Sequence, residues 1–571
     1  MIEELFGLLS RGLWQLIKLF IKFLRKHPRY AFLLPFLVIA AYFRFITISS
    51  STLFLGITPD DKHIITNLLG GNLIFLGRLL QPGNITLGPF YEYLIALPVW
   101  IFGADPIWPA FLSGMLSVAS VYLLYRIGKQ FFNLQVGLFA AGLYAFSPFT
   151  FSYVHQSWNV DLLPFFSLLL LWLIFNAAAS ARPLIYYLLA GYVLGLCLQL
   201  QYVAIFLVFL VFLYMIVTEI IVKGKNFIVP FSLHFLELLG GLFFSSIPFL
   251  YYEALKGFPN TIAFGNYLFQ TAHNAPLSHL LLSMLPMLSM LFARLVIHFP
   301  SPDAILYYSP TQVTILTDFA AVLLAVSFLI LFFARNRFAI LAVILWLLFG
   351  SFSFSFFVND TYDYHFSFLY PVLFLLVGNF LGFIFHLGDQ ERVRMEKQLI
   401  SQNVESETYT MIPVDVTDNK KLIFHSIAVG FSVLLFFIII LLDTAVLPYH
   451  FESKAQAAEI QNVSKFIVGK AEKNPFNLSL LTPPNTSVDL AAYTASMEKL
   501  GNKPVTIQHA EIDPEKKTVT DFLYVVCEGQ QCKPLDSTRW SIKGFGNAAI
   551  IAHWGVGNTT VYKLVHVIIH N

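Results

Sequence analysis

Apolar runs of roughly twenty residues recur along this chain, beginning near Tyr30, Ile107, Leu134, Asn159, Leu184, Tyr202, Phe231, Val313, Phe338, Phe366 and Leu422, each long enough to cross a hydrocarbon core about 30 Å thick as a helix. No water reaches that core, so a crossing segment must close its own backbone hydrogen bonds as a helix or share them in a closed barrel. The runs are continuous and rich in Phe, of which there are 60, and they lack the alternation of barrel strands. They predict an all-α polytopic membrane protein with about eleven transmembrane helices. Composition agrees: 57% of the 571 residues are hydrophobic and 12% charged, against about 25% charged in soluble domains. With a net charge of +2 and Lys and Arg scattered among short loops, there is no nucleic-acid footprint.

Basic residues set the orientation. If the first span leaves the cytosol, the inside loops carry Arg126 with Lys129, Arg182, Lys223 with Lys225, and Arg335 with Arg337, followed by the polar cytoplasmic loop 387–421. The opposite loops, 49–106 and 252–312 among them, are poor in Lys and Arg for their length. Within these outer loops, 88–103 is short and holds Pro89 and Pro98, while 279–300 carries Arg294; both read as amphipathic or re-entrant helices on the outer face. Residues 1–29 interleave Lys and Arg with bulky apolar residues and predict a cytoplasmic-side surface helix. The transmembrane unit then covers 30–443. From 444 to 571 the composition turns mixed polar, with helical patterning at 455–472 and strand-like runs at 477–481, 505–508, 522–527, 548–552 and 561–569, a small extracytoplasmic α/β domain. Cys527 and Cys532 either form a disulfide there or stay a buried and an unpaired thiol.

Ionisable residues at the mouth of a helix bundle mark function, because burying them unpaired costs several kcal/mol. Thr58-Pro59-Asp60-Asp61-Lys62-His63 lies in the first outer loop, and Asp161 lies where another span begins. The acidic residues gather at this face rather than mid-span, which favours an enzyme over the alternative, a lipid or polysaccharide transporter or flippase. Arg44, near the outer end of the first span, is positioned to pair with an outer-loop carboxylate. Neither a zinc or EF-hand spacing nor a Walker or GxGxxG motif in context is present, so no metal and no other cofactor is expected, a divalent cation on Asp60, Asp61 and His63 being the weak alternative.

Several segments resemble a known family: Gly88-Pro89-Phe90-Tyr91-Glu92-Tyr93-Leu94 with Phe102-Gly103, Leu124-Tyr125-Arg126-Ile127-Gly128-Lys129, Ala145-Phe146-Ser147-Pro148, Gln156-Ser157-Trp158-Asn159, and Pro248-Phe249-Leu250-Tyr251-Tyr252-Glu253. In content and order they are similar to the type C glycosyltransferases related to protein O-mannosyltransferases and aminoarabinose transferases. The resemblance implies a multi-span enzyme that passes a mannose-like hexose from a polyprenyl-phosphate donor to a protein, glycan or lipid acceptor on the outer face. It assigns the catalytic base to Asp60 or Asp61, the family more often showing Asp-Glu there, and gives Asp161 the place of a second acidic residue. Glu92 stands where tyrosine is common.

The chemistry fits one essential carboxylate. A phosphate departs as a stable anion and needs no general acid, so the paired carboxylates of a glycosidase are not required. One base deprotonates the acceptor hydroxyl as it attacks the anomeric carbon, with inversion. The departing phosphate needs cations or hydrogen-bond donors, for which Lys62, His63, Arg78, Arg294, His365 and Tyr370 are candidates. Tyr91, Glu92, Tyr93, His155 and Asn159 complete the expected substrate-binding set. Interfacial anchoring is the competing reading for Tyr370, and snorkelling for Arg294.

Overall fold

The computed structural model describes residues 31–46, 48, 64–65, 67–80, 85–102, 107–154, 158–180, 183–274, 277–298, 309–354, 363–387, 417–445, 456–481, 490–505, 507, 518–528, 532–537 and 539–567. The first part is helical: α1 (Leu34–Phe45), α2 (Phe90–Phe102), α3 (Ile107–Ile127), α4 (Leu134–Phe146), α5 (Pro148–Val154), α6 (Leu163–Ala179), α7 (Pro183–Leu200), α8 (Ile205–Lys223), α9 (Ile228–Lys256), α10 (Pro259–Asn274), α11 (Leu277–Ile297), α12 (Pro310–Leu331), α13 (Arg337–Phe354), α14 (Tyr370–Phe385) and α15 (Thr417–Ala445). A two-stranded hairpin, β1 (Leu79–Leu80) and β2 (Ile85–Thr86), precedes α2. Among the described residues nine helices are long and apolar enough to cross a membrane. The two remaining expected spans appear as the shorter apolar helices α1 and α4, α4 being almost wholly buried within the bundle. The expected surface helix 1–29 and most of the loop 387–421 lie outside the described residues.

Lipid offers apolar side chains no hydrophobic reward for associating, so close backbone approach must hold such a bundle together. Helices α7 and α9 show this most clearly. A Cβ added at Gly191 would lie within 1.9 Å of the Leu238 carbonyl oxygen, and one added at Gly241 within 1.9 Å of that of Leu188. The outer side of α9 carries Leu233, Leu236, Phe243 and Phe244, all exposed, as expected of a helix bathed in lipid.

Helix α11 is the helix expected as re-entrant or interfacial at 279–300: Leu285 and Met290 are exposed, whereas Leu288, Leu291, Phe292, Leu295, Val296 and Ile297 are buried, and it packs against α12, α13 and α15. One sequence expectation needs correction: acidic residues are not confined to one face. Glu219 of α8 sits inside a span, where His234 of α9 meets its carboxylate at 2.7 Å and the Tyr187 ring stacks on His234 at 4.7 Å. Pairing between helices makes such a charge tolerable in lipid.

The C-terminal part is a small α/β unit. Helices α16 (Gln456–Ala471) and α17 (Leu490–Lys499) accompany β3 (Asn477–Leu481), β4 (Phe522–Glu528), β5 (Ala548–Val556) and β6 (Thr559–His566). The sheet order is β3-β4-β6-β5, with only β3 and β4 parallel. Ile460, Val463 and Ile467 of α16 pack on Leu478, Tyr524, Val526 and Val561, while Leu523, Val525 and Cys527 face a second core with Ile542 and Phe545. That alternation is the period-2 signal read from the sequence. Among the described residues of the run 505–508, Val505 forms an isolated bridge to Asn477. Cys527 and Cys532 are joined as a disulfide, their Cα atoms 6.0 Å apart.

Within this unit Tyr493 donates to the Glu528 carboxylate at 2.8 Å. Burial holds the Glu528 carboxyl above its ordinary value of 4.5 against that hydrogen bond, and nearby Glu459 pushes the same way. A carboxyl with a raised folded-state pKa stabilises the fold fully below 4.5, and the contribution is lost as pH rises through the folded value. Glu528→Gln keeps an acceptor for Tyr493, so it is expected to increase the hydrogen-exchange protection of β4 at pH 7.5 relative to wild type. The difference should vanish as both are compared closer to pH 4.5; equal protection at every pH would refute this assignment.

Candidate functional site

Several helix ends converge at one end of the bundle, and Arg44 lies at their centre. This side chain, at the end of α1, is 0% exposed. Its guanidinium donates to Ser117 Oγ of α3 at 2.6 Å, to the carbonyls of Tyr144 and Ala145 of α4 at 3.2 Å each, and to Thr150 Oγ1 of α5 at 3.0 Å. A buried guanidinium is tolerable only with its donors engaged, and these bonds fix the geometry of three neighbouring helices. Ser147, in the α4–α5 turn, extends the junction by donating to the Leu295 carbonyl of α11 at 2.7 Å.

Above this junction a turn of 3-10 helix, Asn159–Leu162, leads into α6. Asp161 closes it, Oδ2 accepting from the Trp158 backbone N–H at 2.8 Å. Asn159 is buried and donates through Nδ2 to the Leu200 carbonyl at the end of α7, 2.5 Å away, and Ser367 Oγ donates to the Val160 carbonyl. The Trp158 ring packs at 4.5 Å on Tyr364, which in turn meets His365 at 4.4 Å. Arg78, just before β1, lies 5.4 Å over the Trp158 ring. Arg294 of α11 forms an ion pair with Asp363 at 2.6 Å, and Tyr370 donates to the Asp363 carbonyl at 2.9 Å. Two arginines are thus held at this end by side chains from different loops.

Beside them opens a cavity of about 550 Å³ between β2, α7, α9 and α10. Most of its wall is apolar, and Leu239 and Phe243, which line it, are 38% and 61% exposed, so it opens sideways towards lipid. Its polar wall is formed by Thr86, Gln199, Ser246, Asn260 and Thr261, with no charged residue. Glu253, at the end of α9, builds this rim: its carboxylate accepts from Asn260 N and Nδ2 and from Thr261 N and Oγ1 at 2.7–3.1 Å. Asn260 Oδ1 in turn accepts from the Thr86 backbone at 2.9 Å. A carboxylate at the first turn of α10 also satisfies N–H groups that no helical carbonyl reaches. The tight turn into α10 is made by Gly257 at φ +75° and Phe258 at φ +62°. On the opposite side Gly88 lets the chain pass close to Gln199: a Cβ there would lie 2.4 Å from its side chain, which would have to shift.

Of the residues singled out in the sequence, Asp60, Asp61, Lys62, His63 and His155 lie outside the described residues. Arg78, Asn159, Asp161, Arg294, His365 and Tyr370 come together as above. Tyr91 and Glu92 are buried; Glu92 packs beneath Gly77, where a Cβ would lie 2.5 Å from Oε2. Tyr93 pins the strand entry, exchanging hydrogen bonds with the Ile74 backbone. Sequence reasoning missed Asp363, Gln199, Asn260 and Thr261, and gave Glu253 no role. Polar residues bordering apolar runs were the available signal. Among the described residues no group of three His, Cys, Asp or Glu could hold a metal ion.

Residues 86–244 match the sequence profile of the dolichyl-phosphate-mannose-protein mannosyltransferase family. No curated protein matches the chain in sequence. Among solved structures the chain is similar to ArnT from Cupriavidus metallidurans bound to undecaprenyl phosphate, with 12% identity and a TM-score of 0.50 over 94% of this chain and 98% of that one. The apo state of ArnT gives 13% and 0.49 over 93% and 97%, and the archaeal oligosaccharyltransferase AglB from Archaeoglobus fulgidus 13% and 0.46 over 94% and 74%. At such identities the likeness to ArnT is one of fold.

The Arg294–Asp363 pair is less than one third exposed, and pairs of that kind couple by about 1–2 kcal/mol. Arg294→Gln and Asp363→Asn are each expected to lower the thermal midpoint of the purified protein, and the double variant to fall no further than the worse single one. Additive losses would show that the two side chains act independently.

Proposed function

We propose that this chain, which has the fold of the type C glycosyltransferases and carries the mannosyltransferase family segment at residues 86–244, is a membrane enzyme that transfers a hexose from a polyprenyl-phosphate donor to an acceptor hydroxyl. The observation that carries this reading is the cavity between α7 and α9. It opens to lipid, is lined by aliphatic and aromatic side chains and ends in uncharged polar groups beside the converging helix ends. An isoprenoid tail entering sideways from the bilayer matches such a wall, and ArnT, on the same fold, binds undecaprenyl phosphate. Membrane partitioning then delivers the donor, and no soluble sugar nucleotide is needed.

The roles follow from charge. The donor phosphate carries its negative charge beyond the uncharged rim, towards Arg78 and Arg294, whose orientations Trp158 and Asp363 fix. Prepositioned cations of this kind stabilise the leaving phosphate at no reorganisation cost during the reaction. Asp60 or Asp61 takes the proton of the acceptor hydroxyl as its oxygen attacks the anomeric carbon, inverting it while the C–O bond to phosphate breaks. Lys and Arg placement puts this end of the bundle, and the C-terminal unit with its disulfide, on the extracytoplasmic side.

The test is transfer of labelled mannose from polyprenyl-phosphate-mannose in proteoliposomes, with cell-envelope extract as acceptor. Removing a general base costs typically about 10²–10⁴-fold, so either Asp60→Asn or Asp61→Asn should lose transfer on that scale while donor binding persists. If neither variant loses activity, the base lies elsewhere. If wild type transfers neither mannose, glucose nor aminoarabinose but moves labelled lipid between leaflets, the transporter reading replaces this one.

A further inference from the structure

We infer that one ordered water sits in a small cavity between Asp161 and the hydroxyls held by Arg44, and that Asp161 acts through it as a positioning residue. The cavity is lined by Ser117, Tyr144, Thr150, Asp161, Ser367 and Tyr370 with Val160 and Pro164, and has a volume of about 10 Å³. That is close to the minimum for a single water, which needs two to four polar partners. One carboxylate and five hydroxyl-bearing side chains supply them.

Asp161 divides its two oxygens between separate tasks. Oδ2 holds the Trp158 N–H, whereas Oδ1 is buried with no hydrogen-bond partner among the described residues. A buried carboxylate oxygen left bare pays the full desolvation penalty, and a water donating to it removes that cost. The opposite wall is electropositive: Arg44 donates to Ser117 Oγ and Thr150 Oγ1. Thr150 directs its own proton to the Tyr144 and Ser147 carbonyls, and the Ser117 and Tyr144 hydroxyls are hydrogen-bonded to each other, so this pair has one proton left to direct towards the water. The chain Arg44, Ser117, water, Asp161 compensates a buried cation and a buried carboxylate without direct contact. It also joins the end of α1, directly before the segment with Asp60 and Asp61, to the turn bearing Trp158 and Asn159.

A base and a positioning residue respond differently to Asp161→Asn. The amide still accepts from Trp158 N–H and still reaches the water, but it cannot take a proton. The experiment compares wild type, Asp161→Asn, Asp161→Ala and Ser117→Ala in full-length protein, by high-resolution electron cryomicroscopy, by hydrogen exchange over residues 158–163, and by kcat and KM against pH. Expected are a water density in the wild-type cavity, exchange near wild type for Asp161→Asn, and exchange raised several-fold in Asp161→Ala and Ser117→Ala. Transfer by Asp161→Asn should stay within about tenfold of wild type with its kcat–pH limb intact, while Asp161→Ala raises KM more than it lowers kcat. An empty wild-type cavity, or Asp161→Asn as inactive as Asp161→Ala, would overturn the inference. Should Asp161→Ala fail to fold, Ser117→Ala decides by the same exchange measurement. The kinetic arm rests on the glycosyltransferase reading; a wild type that transfers no sugar fails that reading, while density and exchange still decide the water.

Discussion

A guanidinium buried where water cannot follow dictates the arrangement of everything around it. Arg44 is fully enclosed, and the bonds it donates constrain four elements: α1 through its own carbonyl at Ala40, α3 through Ser117, α4 through the carbonyls at its end, and α5 through Thr150. The end of α4 must release its carbonyls there, and Pro148 opens the next helix where the chain restarts. The unsatisfied groups of one helix terminus therefore become the ligands of one cation. Upon that junction stand the Asn159–Leu162 turn, the Arg294–Asp363 pair and Tyr370.

A second constraint operates from outside. Because lipid does not drive helices together, α7 and α9 approach by backbone, at Gly191 and Gly241. They stay joined as far as Gln199, which donates to the Ser245 carbonyl at 2.9 Å, and the cavity opens beside this contact, its rim formed by Thr86, Asn260 and Thr261. Glu253 determines how that opening is edged, since one carboxylate engages four donors on two successive residues. A lipid carrier needs both features: a lateral entrance without charge and cations just beyond it.

Most of the architecture was legible in the sequence, because the length and hydrophobicity of a span are one-dimensional properties. The nine long helices begin close to where the apolar runs begin, and helix α16 and the four strands β3 to β6 of the C-terminal unit follow the switch from continuous to alternating patterning. What escaped was three-dimensional. Helix α11 carries Pro286 and Arg294 and reads as a re-entrant or interfacial segment, but the burial of its second half and the pairing of Arg294 with Asp363, sixty-nine positions away, could not be read. Glu219 reads as an isolated charge near a span end until His234 of the next helix is set beside it. Asp161 was legible as a charged residue at a helix start, but not the division of its two oxygens between a backbone cap and an internal cavity. Asn260 and Thr261 were legible as part of the family-like segment Gly257-Phe258-Pro259-Asn260-Thr261, but not as the polar rim of a cavity.

The central claim is that a polyprenyl phosphate lies with its tail between α7 and α9. It is tested most directly by photo-crosslinking the purified full-length protein in lipid nanodiscs with a polyprenyl phosphate carrying a photoreactive group in the tail, and mapping the adducts by mass spectrometry. The account predicts adducts concentrated on Leu239, Phe243, Phe249 and Phe264, suppressed by excess unlabelled polyprenyl phosphate. Adducts spread over other lipid-facing helices, such as Leu434 and Phe437 of α15, and insensitive to that competitor, would contradict it.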